Sequence, residues 1–91
     1  MSVAGPSTVP RIGRGFRLQW EDAQGCHVLL YPEGMVRLNQ SAGEIPKRCD
    51  GVKDLAAVVD ELERAFSTTG LERDVLGFVE VAGRQRWLEW D

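Results

Sequence analysis

The sequence predicts a single α+β domain in which a small three-stranded antiparallel sheet is followed by three helices. Apolar residues alternate with period 2 over residues 16–21, a short β-favouring apolar run follows at 26–31, and after Ser41 the apolar spacing becomes that of helices. The chain's 91 residues, with 43% hydrophobic content, suit one compact core and leave no room for a second.

Residues 1–13 (MSVAGPSTVPRIG) are rich in Pro, Gly, Ser and Thr and lack apolar periodicity. Burial alone does not repay the entropy of ordering such a segment, so it is expected to form a flexible tail ahead of a domain spanning 14–91. Phe16, Leu18 and Trp20 alternate with Arg17, Gln19 and Glu21, the signature of a strand over 16–21 with one buried face. Asp22-Ala23-Gln24-Gly25 supplies a turn, and the short β-favouring run 26–31 gives the second strand. In Tyr31-Pro32-Glu33-Gly34, Pro32 presets φ and Gly34 can take positive φ, so the chain reverses into a third strand over 35–39. Val36 and Leu38 then share one face, and Met35 and Arg37 the other.

Ser41 and Glu44 have the spacing of a capping box and predict a short helix near 42–49, distorted by Pro46 and stopped at Gly51. Asp54 can cap a second helix whose apolar face is Leu55, Val58, Val59, Leu62 and Phe66. Thr68-Thr69-Gly70 ends it. A third helix is expected over 71–82, with Leu71, Val75, Phe78, Val79 and Ala82 as its stripe and Gly83 as its stop. Gly77 inside it costs about 1 kcal/mol relative to alanine. Trp87, Leu88 and Trp90 should dock the end of the chain on the body.

The formal net charge of −3 argues against a partner recognised through its phosphates, so no nucleic acid is expected. No apolar stretch approaches the roughly 18 residues that cross a bilayer, and residues 1–10 lack the pattern of a secretory signal, so the expected location is the cytoplasm and no membrane partner is expected. Cys26 and Cys49 match no metal-ligand spacing and read as reduced thiols. The lone His27 neighbours Cys26 on a strand, and adjacent strand residues point to opposite faces. With no triad, glycine-rich phosphate loop or zinc pattern, the residues offer neither a catalytic group nor a site for a metal or cofactor.

Read together, RLQWEDAQGCHVLLYPEGMVRLNQSAGEI, then KRCDG, a capped amphipathic helix and a further helix closing on Trp87-Leu88 resemble the PQQ synthesis protein D family over residues 16–88. The most specific pieces are LLYPEGMVRLN with the serine-alanine pair after it and the Cys-Asp-Gly turn. This resemblance implies a winged-helix-like fold serving as a recognition element for ribosomally made peptides. It implies a non-catalytic chaperone of pyrroloquinoline quinone synthesis, holding a PqqA-like precursor peptide for a PqqE-like radical S-adenosylmethionine enzyme that joins a glutamate to a tyrosine within the precursor. In such modules the peptide adds as a strand beside the third strand and packs against the third helix. The residues implied to bind it here are Met35, Val36, Arg37 and Leu38 with Val75, Leu76 and Val79. Pro46 and Gly77 depart from the family pattern.

The residues themselves leave two readings of the third strand. As the last of a meander it offers an open edge for β-augmentation, or Val36 and Leu38 are simply core and Arg37 blunts the edge. On the third helix Val75 and Phe78 read first as core, and Leu76, off the stripe, is the better candidate for a groove. Trp20 and Trp87 are expected to pack, with only Trp90 a candidate for exposure, while Arg11, Arg14 and Arg17 read as solvated surface. A winged-helix DNA-binding regulator is the alternative, but the third helix carries only Arg73, set among Glu72, Asp74 and Glu80. An open edge also permits a monomer or a weak homodimer.

Overall fold

The computed structural model describes residues 3–91. Its elements in chain order are β1 (Arg11–Ile12), β2 (Arg17–Glu21), β3 (Cys26–Tyr31), β4 (Gly34–Arg37), α1 (Gln40–Glu44), a 3-10 turn (Pro46–Arg48), α2 (Leu55–Ala65), α3 (Glu72–Arg84) and β5 (Leu88–Glu89). Strands β2, β3 and β4 form the expected antiparallel meander, and β1 pairs antiparallel with β5 in a separate two-stranded clasp. Among the described residues no helix is long and apolar enough to cross a membrane.

Register decides what each face of the sheet carries. Leu29 lies between Leu18 and Val36, and Val28 between Gln19 and Arg37. The first face meets α1, where a Cβ on Gly43 would stand only 3.0 Å from His27 Nδ1, so glycine sets how closely helix and sheet approach. The second face is covered by long polar side chains. Arg17 donates to Gln19, Gln19 to Glu21, and Arg37 to Gln24, with Val28 fully buried among them.

The helices depart from expectation at their ends. Asn39, in extended conformation, caps α1 by accepting from Ala42 N–H at 2.7 Å, a role the sequence reading gave to Ser41. The helix expected near 42–49 divides at Ile45, and Pro46 begins the 3-10 turn, where its missing N–H is least costly. Helix α3 runs through Gly83, which is buried. It ends at Arg84 and closes in a Schellman arrangement, with Arg86, three residues after Gly83, at φ 65° and Trp87 N–H bonded to Ala82 O.

The segment expected to be a tail packs on the body from Pro6 to Gly13. Asp54 accepts from Ala57 N–H at the start of α2 as anticipated. The two preceding orphan N–H groups, Leu55 and Ala56, donate to Thr8 O and Pro6 O, and Gly51 N–H donates to Pro10 O. Composition could not reveal this, because the segment is held largely by its backbone carbonyls, with only the scattered side chains of Ala4, Pro10 and Ile12 packed or buried and no periodic apolar face. Gly13 is obligatory at the clasp: its N–H reaches Trp87 O at 2.7 Å, and a Cβ there would fall 1.8 Å from Arg86 O. Met1 and Ser2, also assigned to the tail, lie outside the described residues.

Leu55, Val58 and Leu62 of α2 pack with Val75, Val79 and Ala82 of α3, and Ile45, Cys49, Leu88 and Trp90 complete the core. The tryptophans exchange the roles expected of them. Trp90 is 6% exposed and belongs to the core, whereas Trp20 is 51% exposed, its Nε1 donating to Asp22 and its ring edge-on to His27. Phe66, counted in the stripe of α2, caps that helix and is exposed.

Candidate functional site

Strand β4 is an outer strand of its sheet. Leu38 N–H donates to His27 O at 3.0 Å, which makes Leu38 and His27 a hydrogen-bonded pair. Such pairs alternate along an antiparallel ladder, so Val36 and Gly34 also turn their amides toward β3. The N–H and C=O groups of Met35 and Arg37 therefore point away from the sheet. These are the groups that an added strand would use.

Three residues after Arg37 the chain enters α1, and there a cavity of about 500 Å³ opens between α1, the end of α2 and the start of α3. Its apolar walls are Ile45, Leu62, Phe66, Leu71 and Val75. The polar lining is supplied by Gln40, Ser41, Glu44, Thr68 and Asp74. From Arg37 to Gln40 the chain spans at most about 11 Å, so an extended segment lying on β4 and continuing past Arg37 reaches the cavity within a few residues. Backbone pairing and side-chain capture can thus act on one guest.

The structure distributes the seven residues named from the sequence between surface and support. Met35 is 48% exposed, Arg37 is exposed and Val36 is half-buried along the edge strand. Leu38 and Val79 are buried, and Val75, also buried, is the one residue of the seven that lines the cavity. Leu76 lies about 100° around α3 from Val75 and packs against the core, away from the cavity lining. Sequence reasoning did not single out the contributions of α1, nor Phe66, Leu71 and Asp74. Leu71 and Phe66 had been absorbed into helical stripes as core, and only the packing of three short helix ends makes them neighbours of an opening.

The electrostatics of α1 are settled within the chain. Glu44 accepts from Arg48 Nη1 at 2.6 Å, with Lys47 at 4.0 Å, and the Arg48 hydrogen bond foremost holds the Glu44 carboxyl below its ordinary range. Arg48 also reaches Glu61, which is bridged to Lys53. Among the described residues no cluster of three His, Cys, Asp or Glu side chains is arranged to hold a metal ion. The arrangement offers backbone edge groups and an apolar recess, the means of binding an extended chain.

Comparison with known proteins agrees in fold and extent. The family model of coenzyme PQQ synthesis protein D matches residues 26–88. A PqqA binding protein of Pseudomonas aeruginosa (strain UCBPP-PA14) is 54% identical over 90 residues, covering 98% of each chain. One from Azotobacter vinelandii (strain DJ / ATCC BAA-1303) is 51% identical with the same coverage. Among solved structures, the solution NMR structure of the PqqD truncation of Methylobacterium extorquens PqqCD superposes with a TM-score of 0.79 at 30% identity, covering 94% of both chains. That protein is described as a functional and stand-alone recognition element for ribosomally synthesized and post-translationally modified peptides.

Proposed function

The chain belongs to the coenzyme PQQ synthesis protein D family, and on that premise we propose that it binds a PqqA-like precursor peptide and presents it to a PqqE-like radical S-adenosylmethionine enzyme. It is not an enzyme; its relatives are named for binding and recognition, and the chemistry on the peptide belongs to the partner. In this reading the peptide adds as a fourth strand on β4, pairing with the outward groups of Met35 and Arg37, and then passes over the cavity between α1 and α3. Val36 supplies side-chain contact, while Leu38, Val75 and Val79 form the support behind the surface. The observation that carries the reading is the outward edge of β4 leading directly to an apolar recess. A cytoplasmic location and a winged-helix-like description of the fold belong to the same reading.

Titrating isotopically labelled protein with synthetic precursor peptide tests it. Amide shifts are expected to concentrate in residues 35–41 and 66–75. An absence of shifts at tens of micromolar peptide, or saturable binding to duplex DNA instead, rejects it. The direction of the β4 amides adds a sharper test. Proline in place of Arg37 removes an edge N–H without breaking the bonds to β3, so Arg37→Pro should weaken peptide binding in a folded protein. Val36→Pro removes a ladder bond and should lower stability as well. Peptide affinity unchanged in folded Arg37→Pro excludes β-augmentation at this edge.

A further inference from the structure

The charges around the recess bear on what kind of side chain it accepts. Of its ten lining residues two are carboxylates, Glu44 and Asp74, and none is Lys, Arg or His. Glu44 is already neutralised by Arg48 and Lys47. Just outside the lining, Glu63 accepts the N–H of Leu71 at 3.0 Å and adds a third negative charge near the same wall. Among the described residues, Asp74 differs from Glu44 in having no cation, and from Glu63, which also has none, in lining the cavity itself without accepting a backbone N–H. It is exposed in the first turn of α3 and, among the described residues, makes no ion pair. The adjacent Arg73 projects about 100° around the helix from it, so the chain's own nearest cation on α3 is directed elsewhere.

Resting on the peptide-binding reading, we propose that the cavity selects a guest segment in which an apolar side chain has a lysine or arginine within two residues of it, the apolar group filling the recess and the cation pairing with Asp74. Ile45, Leu62, Phe66, Leu71 and Val75 reward burial of an apolar group and offer nothing to a charge. Among the lining residues the charge that is not already paired, that of Asp74, is acidic, and the remaining polar groups, Gln40, Ser41 and Thr68, are neutral. A carboxylate on the guest would meet Asp74 and Glu63 unscreened by any lining cation, so the same rim that attracts a basic segment rejects an acidic one. Long basic side chains suit the position because their methylene stems can lie on Phe66 and Leu71 while the charged end stays at the mouth.

Asp74→Asn and Asp74→Lys are to be compared with the unaltered protein in calorimetric titrations against the synthetic precursor peptide, and against versions of that peptide in which each lysine or arginine in turn is glutamate. Circular dichroism melting checks each variant's fold. Asp74→Asn should weaken binding about two- to fivefold, the range of an exposed ion pair, and Asp74→Lys about tenfold or more through repulsion. One charge-reversed peptide should recover affinity with Asp74→Lys while losing it with the unaltered protein. If both variants, folded, bind the original peptide as the unaltered protein does, or if no reversed peptide recovers affinity, the proposal fails while peptide binding stands. If the unaltered protein does not bind the precursor at all, the functional reading fails and the proposal with it.

Discussion

Asp50 organises the approach to α2 with one carboxylate oxygen, which accepts the N–H groups of Val52 at 2.9 Å and Lys53 at 3.0 Å. These bonds, that from Lys53 foremost, lower its pKa from 3.8 to about 2. A carboxyl whose folded pKa is depressed contributes stability that is complete above its unfolded value and is lost as pH falls toward the folded one. The contribution of Asp50 should therefore disappear between about pH 4 and pH 2. Asp50→Asn should flatten the fall of the urea midpoint across that window, and an unchanged slope would show that the turn carries no such linkage. Cys49 gives a second residue-scale test. Burial pushes its thiol up to about 12, and its Sγ donates to Ile45 O at 3.2 Å, whereas Cys26 is only half-buried. Alkylation of native protein at mildly alkaline pH should add one group, at Cys26, and alkylation in denaturant two, as counted by mass spectrometry.

At the scale of elements, α3 carries an avoidable weakness. Gly77 sits in the helix interior, exposed, with no atom within 4 Å of where a Cβ would be. Gly77→Ala should stabilise the protein by about 0.5–1 kcal/mol, read as a raised urea midpoint; a lowered midpoint would mean that the helix needs the glycine. Elements signalled by a β-favouring run between turns, or by a cap ahead of an apolar stripe, were legible in the sequence. β3 falls on residues 26–31 as expected, and α2 begins after Asp54. Ends decided by competition between neighbouring residues were not. Asn39 and Ser41 are both good caps, and backbone geometry chose Asn39. Gly83 and Arg86 competed for the stop, and burial of Gly83 in the helix left the left-handed place to Arg86. The site was legible as an edge strand and illegible as a cavity. Gln40, Phe66, Leu71 and Asp74 belong to three helix ends, and no single-segment pattern brings those ends together.

For the whole molecule, the segment from Pro6 to Gly13 closes the architecture, since it supplies acceptors to α2 and to Gly51 and a strand to β5. A chain beginning at Arg11 loses the carbonyls that serve Leu55, Ala56 and Gly51. Water can replace these partners in part, so the expected loss is about 2 kcal/mol, measurable by urea denaturation. Identical midpoints would show that these carbonyls do not hold the body together. The sequence hid this because an irregular segment bound through main-chain oxygens looks in composition like a segment bound to nothing.

Pairing of Arg11 with Glu89, reinforced by ion pairs from Arg11 to Glu89 at 3.4 Å and to Asp91 at 3.5 Å, brings the two flanks of the fold side by side. A longer polypeptide can consequently enter and leave through one narrow doorway. Spliced into a surface loop of a host protein, the fold would hang there by its clasp, its neighbours in the chain undisturbed and the outer edge of β4 still free to meet a passing peptide.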